Sequence, residues 1–119
     1  MSSLTKGTLN TPDETRTFNK GKLELVMVGG VTFSRVTLEP GWKWSESVKP
    51  IAKTPSCQVH HVGYVVSGNM RVRMDNGEEM EFGPGDTYIV PPGHDAWVIG
   101  NETLIGVDVS GEMLDYAKR

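Results

Sequence analysis

Polar and apolar residues alternate along most of this chain, in short runs separated by glycine, proline and asparagine. In the run 31–39, alternate side chains share one face, namely those of Thr32, Ser34, Val36 and Leu38. In the run 70–75, alternate apolar residues are separated by Arg71 and Arg73. A period of two residues is typical of β-strands that bury one face. The pattern therefore predicts strands with one side against a core.

Turn signals divide these runs at short intervals. The dipeptides at 29–30 and 76–77, Gly-Gly and Asn-Gly, are typical of two-residue hairpin turns. Gly-Pro-Gly-Asp at 83–86 and Pro-Pro-Gly at 91–93 separate further strands. These signals leave about eight or nine short strands and no interior helix, which predicts an all-β sandwich, jelly roll or barrel.

Three segments depart from the alternation. Residues 1–17 are polar and predict a flexible N-terminal tail ahead of a barrel at 18–110. Residues 111–119 predict a short C-terminal helix or tail. The stretch 42–56 contains two Trp and two Pro, and it is too irregular for a strand and too interrupted by proline for a helix. We expect a long loop there, and long loops in compact domains are usually functional.

Size and charge narrow the class of protein. A chain of 119 residues fits one domain, and its net charge of −3 and pI near 5.6 argue against binding to nucleic acid. No apolar run approaches the roughly 18 residues that span a membrane, and the N-terminus lacks the apolar core of a secretory signal. The one cysteine, Cys57, cannot form an intramolecular disulfide. We therefore expect a cytoplasmic protein with no membrane partner.

Two motifs stand in order along the chain. The segment 85–93, GDTYIVPPG, has the spacing G-x5-P-x-G, and the segment 63–68 reads GYVVSG. They resemble the two motifs of the cupin superfamily, and the resemblance extends over about residues 31–109. It implies a double-stranded β-helix, or jelly-roll barrel, that holds a small-molecule ligand. Barrels of this kind often extend their sheets across a two-fold axis, so the resemblance also implies a homodimer.

The metal-binding positions of those motifs carry other residues here. When the first cupin motif, H-x-H-x3,4-E-x6-G, is aligned on its last glycine, its ligand positions fall on Pro55, Cys57 and His61. The histidine of the second motif falls on Ala96, two residues after His94. Residues two apart on a strand point to the same face. The resemblance therefore implies a substitute ligand set of Cys57, His61 and His94.

A thiolate and two imidazoles form a three-ligand set that leaves a fourth position open. Such a set suits a divalent metal, namely Zn, Fe or Cu. The alternative is that Cys57 is an inert core thiol and that His94 bonds the backbone of the turn before it. His60 and His61 are adjacent, so only one of them faces the barrel interior, and the sequence does not say which.

Six further residues are candidates for a ligand pocket: Trp44, Tyr64, Trp97, Arg35, His60 and Asp95. The aromatic residues could form a wall for an apolar ligand, or they could be ordinary packing residues. Arg35 could meet an anionic ligand, although a solvated position is the simpler interpretation. Asp95 could orient a ligating histidine through its second ring nitrogen.

Three functions stay open at this point. The first is a metal-binding cupin that acts on a small molecule, with oxygenation and isomerisation both found among cupins. The second is a ligand-sensing or regulatory module without turnover, which the lack of a plausible acid–base pair favours. The third is a metal-free structural or interaction domain. Whether the protein is an enzyme is left undecided by the sequence, because fold does not fix function.

Overall fold

Residues 3–119, which the computed structural model describes, form two antiparallel sheets and three short helices. The strands are β1 (Glu14–Phe18), β2 (Gly21–Val28), β3 (Val31–Leu38), β4 (His61–Ser67), β5 (Asn69–Met74), β6 (Glu79–Phe82), β7 (Thr87–Val90), β8 (His94–Ile99) and β9 (Leu104–Asp108). The helices are α1 (Trp44–Ser47), α2 (Lys49–Ala52) and a 3-10 helix at Gly111–Asp115. None of these helices is long and apolar enough to cross a membrane.

The strand order is that of a jelly-roll barrel. The larger sheet has the order β1-β2-β3-β9-β4-β7, and the smaller sheet has the order β6-β5-β8. All the strand pairs are antiparallel. The predicted all-β jelly roll is therefore confirmed.

The hairpin between β2 and β3 shows why the glycine signals were informative. Gly29 and Gly30 have φ values of 56° and 81°, the combination that a type I′ turn requires. The turn places Val28 opposite Val31 and fixes the register of both strands. In β3 the face that carries Ser34 is the inner one, because Ser34 is fully buried.

The core lies between the two sheets. It is built from alternate residues of several strands, among them Leu23, Leu25, Leu38, Val65, Val72, Val90, Val98 and Leu104. In β5, Val72 packs in the core while the predicted outer residue Arg71 pairs with Glu79 and Glu81. The period of two residues in the sequence is thus the period of burial in the barrel.

The larger sheet begins earlier than predicted. The barrel was expected from residue 18, but β1 already pairs with β2 from Glu14 onward. The C-terminal segment also holds this edge strand, because Arg16 donates hydrogen bonds to the backbone carbonyls of Leu114 and Tyr116, both at 2.8 Å. Residues 1 and 2 of the predicted tail lie outside the described residues, and the flexibility of the remaining tail stays a prediction.

The predicted loop at 42–56 contains two helical turns. The expectation that proline would prevent a helix was wrong, because Pro50 stands in the first turn of α2, where its missing N–H has no partner to lose. The buried side chains of Trp44 and Val48 anchor the two turns to the core. The left-handed backbone of Lys53, with φ 59°, ends α2.

The C-terminal segment forms the short helical turn that the sequence predicted. Ser110 caps the 3-10 helix, since its side chain accepts a hydrogen bond from the backbone N–H of Glu112 at 3.2 Å. Met113 and Tyr116 are buried and border the barrel interior. The rings of Tyr116 and Phe18 meet edge to face with centroids 6.1 Å apart.

Candidate metal centre

Three side chains that are separate in sequence meet at one point of the barrel. One potential ligand atom each of Cys57, His61 and His94 lies within 4.8 Å of the others. Cys57 is 2% exposed and His94 is 3% exposed. The fold therefore brings together the three residues that the sequence predicted as a ligand set.

Backbone hydrogen bonds hold two of these residues side by side. Cys57 precedes β4, and its N–H donates to the carbonyl of His94 at 2.7 Å. In return, the N–H of Gly93 donates to the carbonyl of Cys57 at 2.7 Å. Gly93 has a φ of 94°, which a residue with a side chain rarely adopts. The Pro-Pro-Gly turn thus places His94 next to Cys57.

The ring of His94 has one nitrogen occupied and one free. Its Nδ1 lies 2.8 Å from the carbonyl oxygen of Pro91, so Nδ1–H is the donor and Nε2 carries the lone pair. Burial, together with the charge of the nearby His61, lowers the pKa of His94 to about 4. His94 is therefore neutral near pH 7, which is the form that binds a metal.

The ring of His61 also has an oxygen near its Nδ1, although at a longer distance than a hydrogen bond. Its Nε2 lies 3.7 Å from the Sγ of Cys57, and its Nδ1 lies 3.5 Å from the Oδ2 of Asp108. Asp108 is buried at the end of β9. A carboxylate at the far nitrogen is the usual partner of a metal-ligating histidine.

The third member of the cluster is a protonated thiol when no metal is bound. Burial raises the pKa of Cys57 to about 11, with a smaller opposing effect from a backbone hydrogen bond of Val59. A metal binds the thiolate, so metal binding at neutral pH releases the thiol proton.

The separation between the donor atoms of Cys57 and His61 fits a tetrahedral ion. Bonds of about 2.3 Å to sulfur and about 2.0–2.1 Å to nitrogen put the two donors about 3.5 Å apart at a tetrahedral angle. The observed separation of Cys57 Sγ and His61 Nε2 is 3.7 Å. The same mixture of thiolate and imidazole also suits Fe and Cu.

The cluster borders an interior cavity of about 60 Å³. His61, His94 and Ala96 all line it, which agrees with the expectation that positions 94 and 96 point the same way. Of the adjacent histidines, His61 faces the interior. The backbone N–H of His60 instead pairs with the carboxylate of Glu112 at 3.2 Å, and the His60 ring is not part of the cavity wall.

Of the six predicted pocket residues, only Trp44 lines this cavity. Arg35 lies on the outer face of β3, where its Nε donates to Oε1 of Glu24 at 2.9 Å. Tyr64 is 45% exposed on the outer face of β4. The alternation of each strand turns the neighbouring Ser34 and Val65 inward instead, and a ligand contact of Arg35 or Tyr64 stays a prediction.

Two more predicted pocket residues lie on the outer side of β8. Trp97 stacks beneath the Nζ of Lys43, 5.6 Å from the ring centroid. Asp95 accepts hydrogen bonds from the backbone N–H groups of Ser45 at 3.0 Å and Ala96 at 2.9 Å. Its carboxylate therefore fixes the start of α1 against β8 rather than orienting a histidine ring.

Asp108 and Tyr116 also border the cavity, and the sequence did not single them out. A signal existed for Asp108, since Leu104, Gly106 and Asp108 follow the two-residue period of β9, whose first residue is buried. Tyr116 lies beyond the last strand in the docked C-terminal segment. Burial raises its pKa well above the ordinary value of tyrosine, so its hydroxyl is neutral.

Comparisons with known proteins agree with this architecture. A sequence model of the cupin domain family matches residues 46–110, whereas no curated protein matches the chain. An oxalate decarboxylase from Lactobacillus farciminis, solved in complex with formate, is similar in structure at 20% identity and a TM-score of 0.58. That similarity covers 81% of this chain but 30% of the decarboxylase.

Two smaller proteins are similar over most of their length. KdgF from Halomonas sp. is 19% identical, with a TM-score of 0.55 over 81% of this chain and 84% of KdgF. A protein of unknown function from Acidithiobacillus ferrooxidans is 18% identical, with a TM-score of 0.59 over 84% of this chain and 88% of that protein. At such identities the similarity concerns the fold alone.

Proposed function

This chain belongs to the cupin domain family, and from that membership we propose that its barrel binds a small molecule beside a divalent metal ion. Cys57, His61 and His94 hold the ion, which is Zn, Fe or Cu. When bound, the ion supplies a Lewis acid with an open coordination position. The finer part of this proposal is that the bound metal catalyses a reaction of the small molecule.

One observation carries the proposal. Both histidines have an oxygen close to Nδ1, from the Pro91 carbonyl and the Asp108 carboxylate, at 2.8 Å and 3.5 Å. This leaves Nε2 of each ring available to an ion beside the Cys57 thiol. A core histidine needs only one hydrogen bond to be satisfied, whereas two rings oriented in this way around a thiol are typical of metal sites.

The residues around the ion determine what reaches it. Trp44 and Ala96 give the cavity wall an apolar character near the ligands, which excludes bulk water and strengthens electrostatic interactions inside. Asp108 is a positioning residue, because it acts on the ion through the ring of His61.

The test is elemental analysis of tag-free protein beside Cys57→Ser and His94→Ala. The matched control is His60→Ala, which removes a histidine next to His61 whose ring lies outside the cluster. We expect close to one metal ion per chain in the native protein and in the control, and less than about a tenth of that in the other two variants. Absence of metal after anaerobic reconstitution with Zn²⁺ and Fe²⁺ would refute the metal site.

A metal-free ligand-sensing module is the second candidate, and one contact favours it. The thiol of Cys57 lies within hydrogen-bonding distance of His61 Nε2 at 3.7 Å, so the cluster is also satisfied as a thiol–imidazole pair. In that case the reconstitution experiment yields no bound metal, while the cavity still binds small molecules.

We also propose that two copies associate through the outer face of the larger sheet. Exposed apolar side chains gather next to the edge strand β7, namely Tyr64, Val66, Ile89 and Val109. A second copy can cover such a patch symmetrically. Light scattering should give a dimer for the native protein and a monomer for Ile89→Lys; a native monomer at micromolar concentration would contradict this.

We further propose a cytoplasmic location. The single cysteine is buried and free, and a free thiol persists most readily in a reducing compartment. Fractionation of cells that produce the protein from its own gene tests this directly, and recovery from the culture medium would contradict it.

A further inference from the structure

Two buried polar atoms beside the cavity have no hydrogen-bond partner among residues 3–119. They are the indole Nε1 of Trp42 and the carboxylate Oδ2 of Asp108, and both residues line the cavity. Buried polar groups are nearly always paired, because leaving one unpaired costs its full desolvation. One of these atoms is a donor and the other is an acceptor.

The surroundings of Asp108 leave one of its oxygens available. Oδ1 accepts a hydrogen bond from the backbone N–H of Ser110 at 2.7 Å. Oδ2 lies 3.5 Å from Nδ1 of His61, which is longer than a well-formed hydrogen bond. A carboxylate oxygen accepts two hydrogen bonds, so Oδ2 can take a ligand donor and still face the histidine.

Trp42 is held in place by its own backbone. Its N–H donates to the carbonyl of Glu39 at 3.0 Å, and its carbonyl accepts from the N–H of Val98 at 3.0 Å. The residue is 2% exposed, so its ring cannot turn outward to reach solvent. An indole N–H only donates, and its partner must therefore be an acceptor such as a carbonyl oxygen.

The charge of the cavity wall disfavours anions. No lysine or arginine stands among the described residues that line the cavity, whereas the Asp108 carboxylate does. Without a metal, an anionic ligand would meet a like charge in an apolar enclosure. With a metal, the two positive charges of the ion would already be balanced by the Cys57 thiolate and Asp108. In both states an uncharged ligand is favoured.

The size of the cavity limits the ligand further. A buried water occupies at least about 10–15 Å³ on the same measure, so a cavity of about 60 Å³ holds about four to six groups of that size. Most of the wall is apolar, with side chains such as Val36, Leu38 and Val65. The ligand must therefore be compact and mostly hydrocarbon.

We infer that the cavity selects a compact, uncharged molecule that accepts a hydrogen bond from Trp42 and donates one to Asp108, as a small primary amide or a hydroxy-ketone does. This inference rests on the proposed binding of a small molecule and adds its chemical class. It sets the ligand apart from carboxylates, which have no hydrogen-bond donor and carry a negative charge.

An isosteric series tests the class. Isobutyramide, isobutyrate and methyl isopropyl ketone share one carbon skeleton and differ only in the group on the carbonyl carbon. Binding is measured by calorimetry and by ligand-observed NMR, on chelator-treated protein and on Zn²⁺-loaded protein. We expect isobutyramide to bind at least about tenfold more tightly than isobutyrate, and about fivefold more tightly than the ketone, which lacks the donor.

Two variants test whether the preference for isobutyramide comes from Trp42 Nε1 and Asp108 Oδ2. Trp42→Phe keeps an aromatic ring but removes the indole N–H, so the affinity for isobutyramide should fall about fivefold to tenfold. Asp108→Asn keeps the shape but removes the charge, so the preference for isobutyramide over isobutyrate should shrink toward unity. Trp97→Phe is the control, because it removes an indole on the outer side of β8 and should change neither affinity.

Tighter binding of isobutyrate than of isobutyramide in either form of the protein would overturn the inference, as would no binding of isobutyramide to either form.

Near-ultraviolet circular dichroism of each variant verifies the fold, and a Trp42→Leu variant replaces any Trp42→Phe protein that does not fold. The metal content of every sample is determined in parallel. A protein that binds no metal but prefers isobutyramide refutes the metal site and keeps the ligand class.

Discussion

The two faces of strand β4 differ in most of their physical properties, although their residues alternate along one segment. On the inner face, His61 and Val65 line the cavity, and Val65 is fully buried. On the outer face, Tyr64 and Val66 are 45% and 47% exposed. A motif such as GYVVSG mixes both faces. The comparison teaches that a cupin motif locates a strand, whereas the direction of each side chain decides whether a residue belongs to the site or to the surface.

The largest effect that separates the two faces is on stability. Val65→Asp puts a charge without a partner into the core and should lower the free energy of unfolding by about 4 kcal/mol or more. Val66→Asp puts the same charge on the outer face and should cost less than about 1 kcal/mol. Chemical denaturation followed by tryptophan fluorescence, at a concentration where both proteins are monomeric, measures the difference. Equal losses would mean that the two faces are not distinct in solution.

A smaller effect separates two carboxylates, one inside the barrel and one outside it. Asp108→Asn weakens the support of the His61 ring and should lower metal affinity by about 10- to 100-fold. Asp95→Asn makes the same chemical change beside α1 and should leave metal affinity within about threefold. Competition with a chelator gives the two affinities, and thermal unfolding controls for a loss of fold. An effect of the same size in both variants would exclude a specific role for Asp108.

The effect that is smallest per step, about tenfold for each pH unit, concerns pH. Since burial raises the pKa of Cys57 to about 11, the thiol is protonated between pH 7 and pH 9 and must lose its proton when a metal binds. Metal affinity should therefore rise about tenfold per pH unit over that range. His94, with a pKa of about 4, contributes nothing to this slope. The control variant His60→Ala, whose ring lies outside the cluster, should show the same slope of metal affinity against pH as the native protein. A metal affinity that does not change with pH would contradict a thiolate ligand.

The fold could be predicted from the sequence because its signals are local. The turns at 29–30 and 76–77 depend on a few glycine and asparagine residues, and the alternation in β3 and β5 follows directly from strand geometry. The edge strand β1 was missed because its segment is mostly polar and exposed, and because the Arg16 side chain within it bonds to Leu114 and Tyr116 at the far end of the chain. A contact of that sequence separation leaves no local pattern.

The candidate site could be predicted only in part, for a related reason. The group of Cys57, His61 and His94 followed from the positions of two motifs, and the structure brings those residues together. Trp97 and Asp95 lie outside the cavity wall, because the alternation that turns His94 and Ala96 inward turns both of them outward. Trp42 and Asp108 could not be linked from sequence, since only the closure of the barrel places both residues on the wall of one cavity.

The hydrogen bonds of Arg16 also determine when the cavity can form during synthesis. They join residues 98 and 100 positions apart in the chain, and Tyr116, whose carbonyl accepts one of them, forms part of the cavity wall. Contacts of such long range form late and slow folding. The cavity wall is therefore incomplete until residues 111–119 have docked against β1.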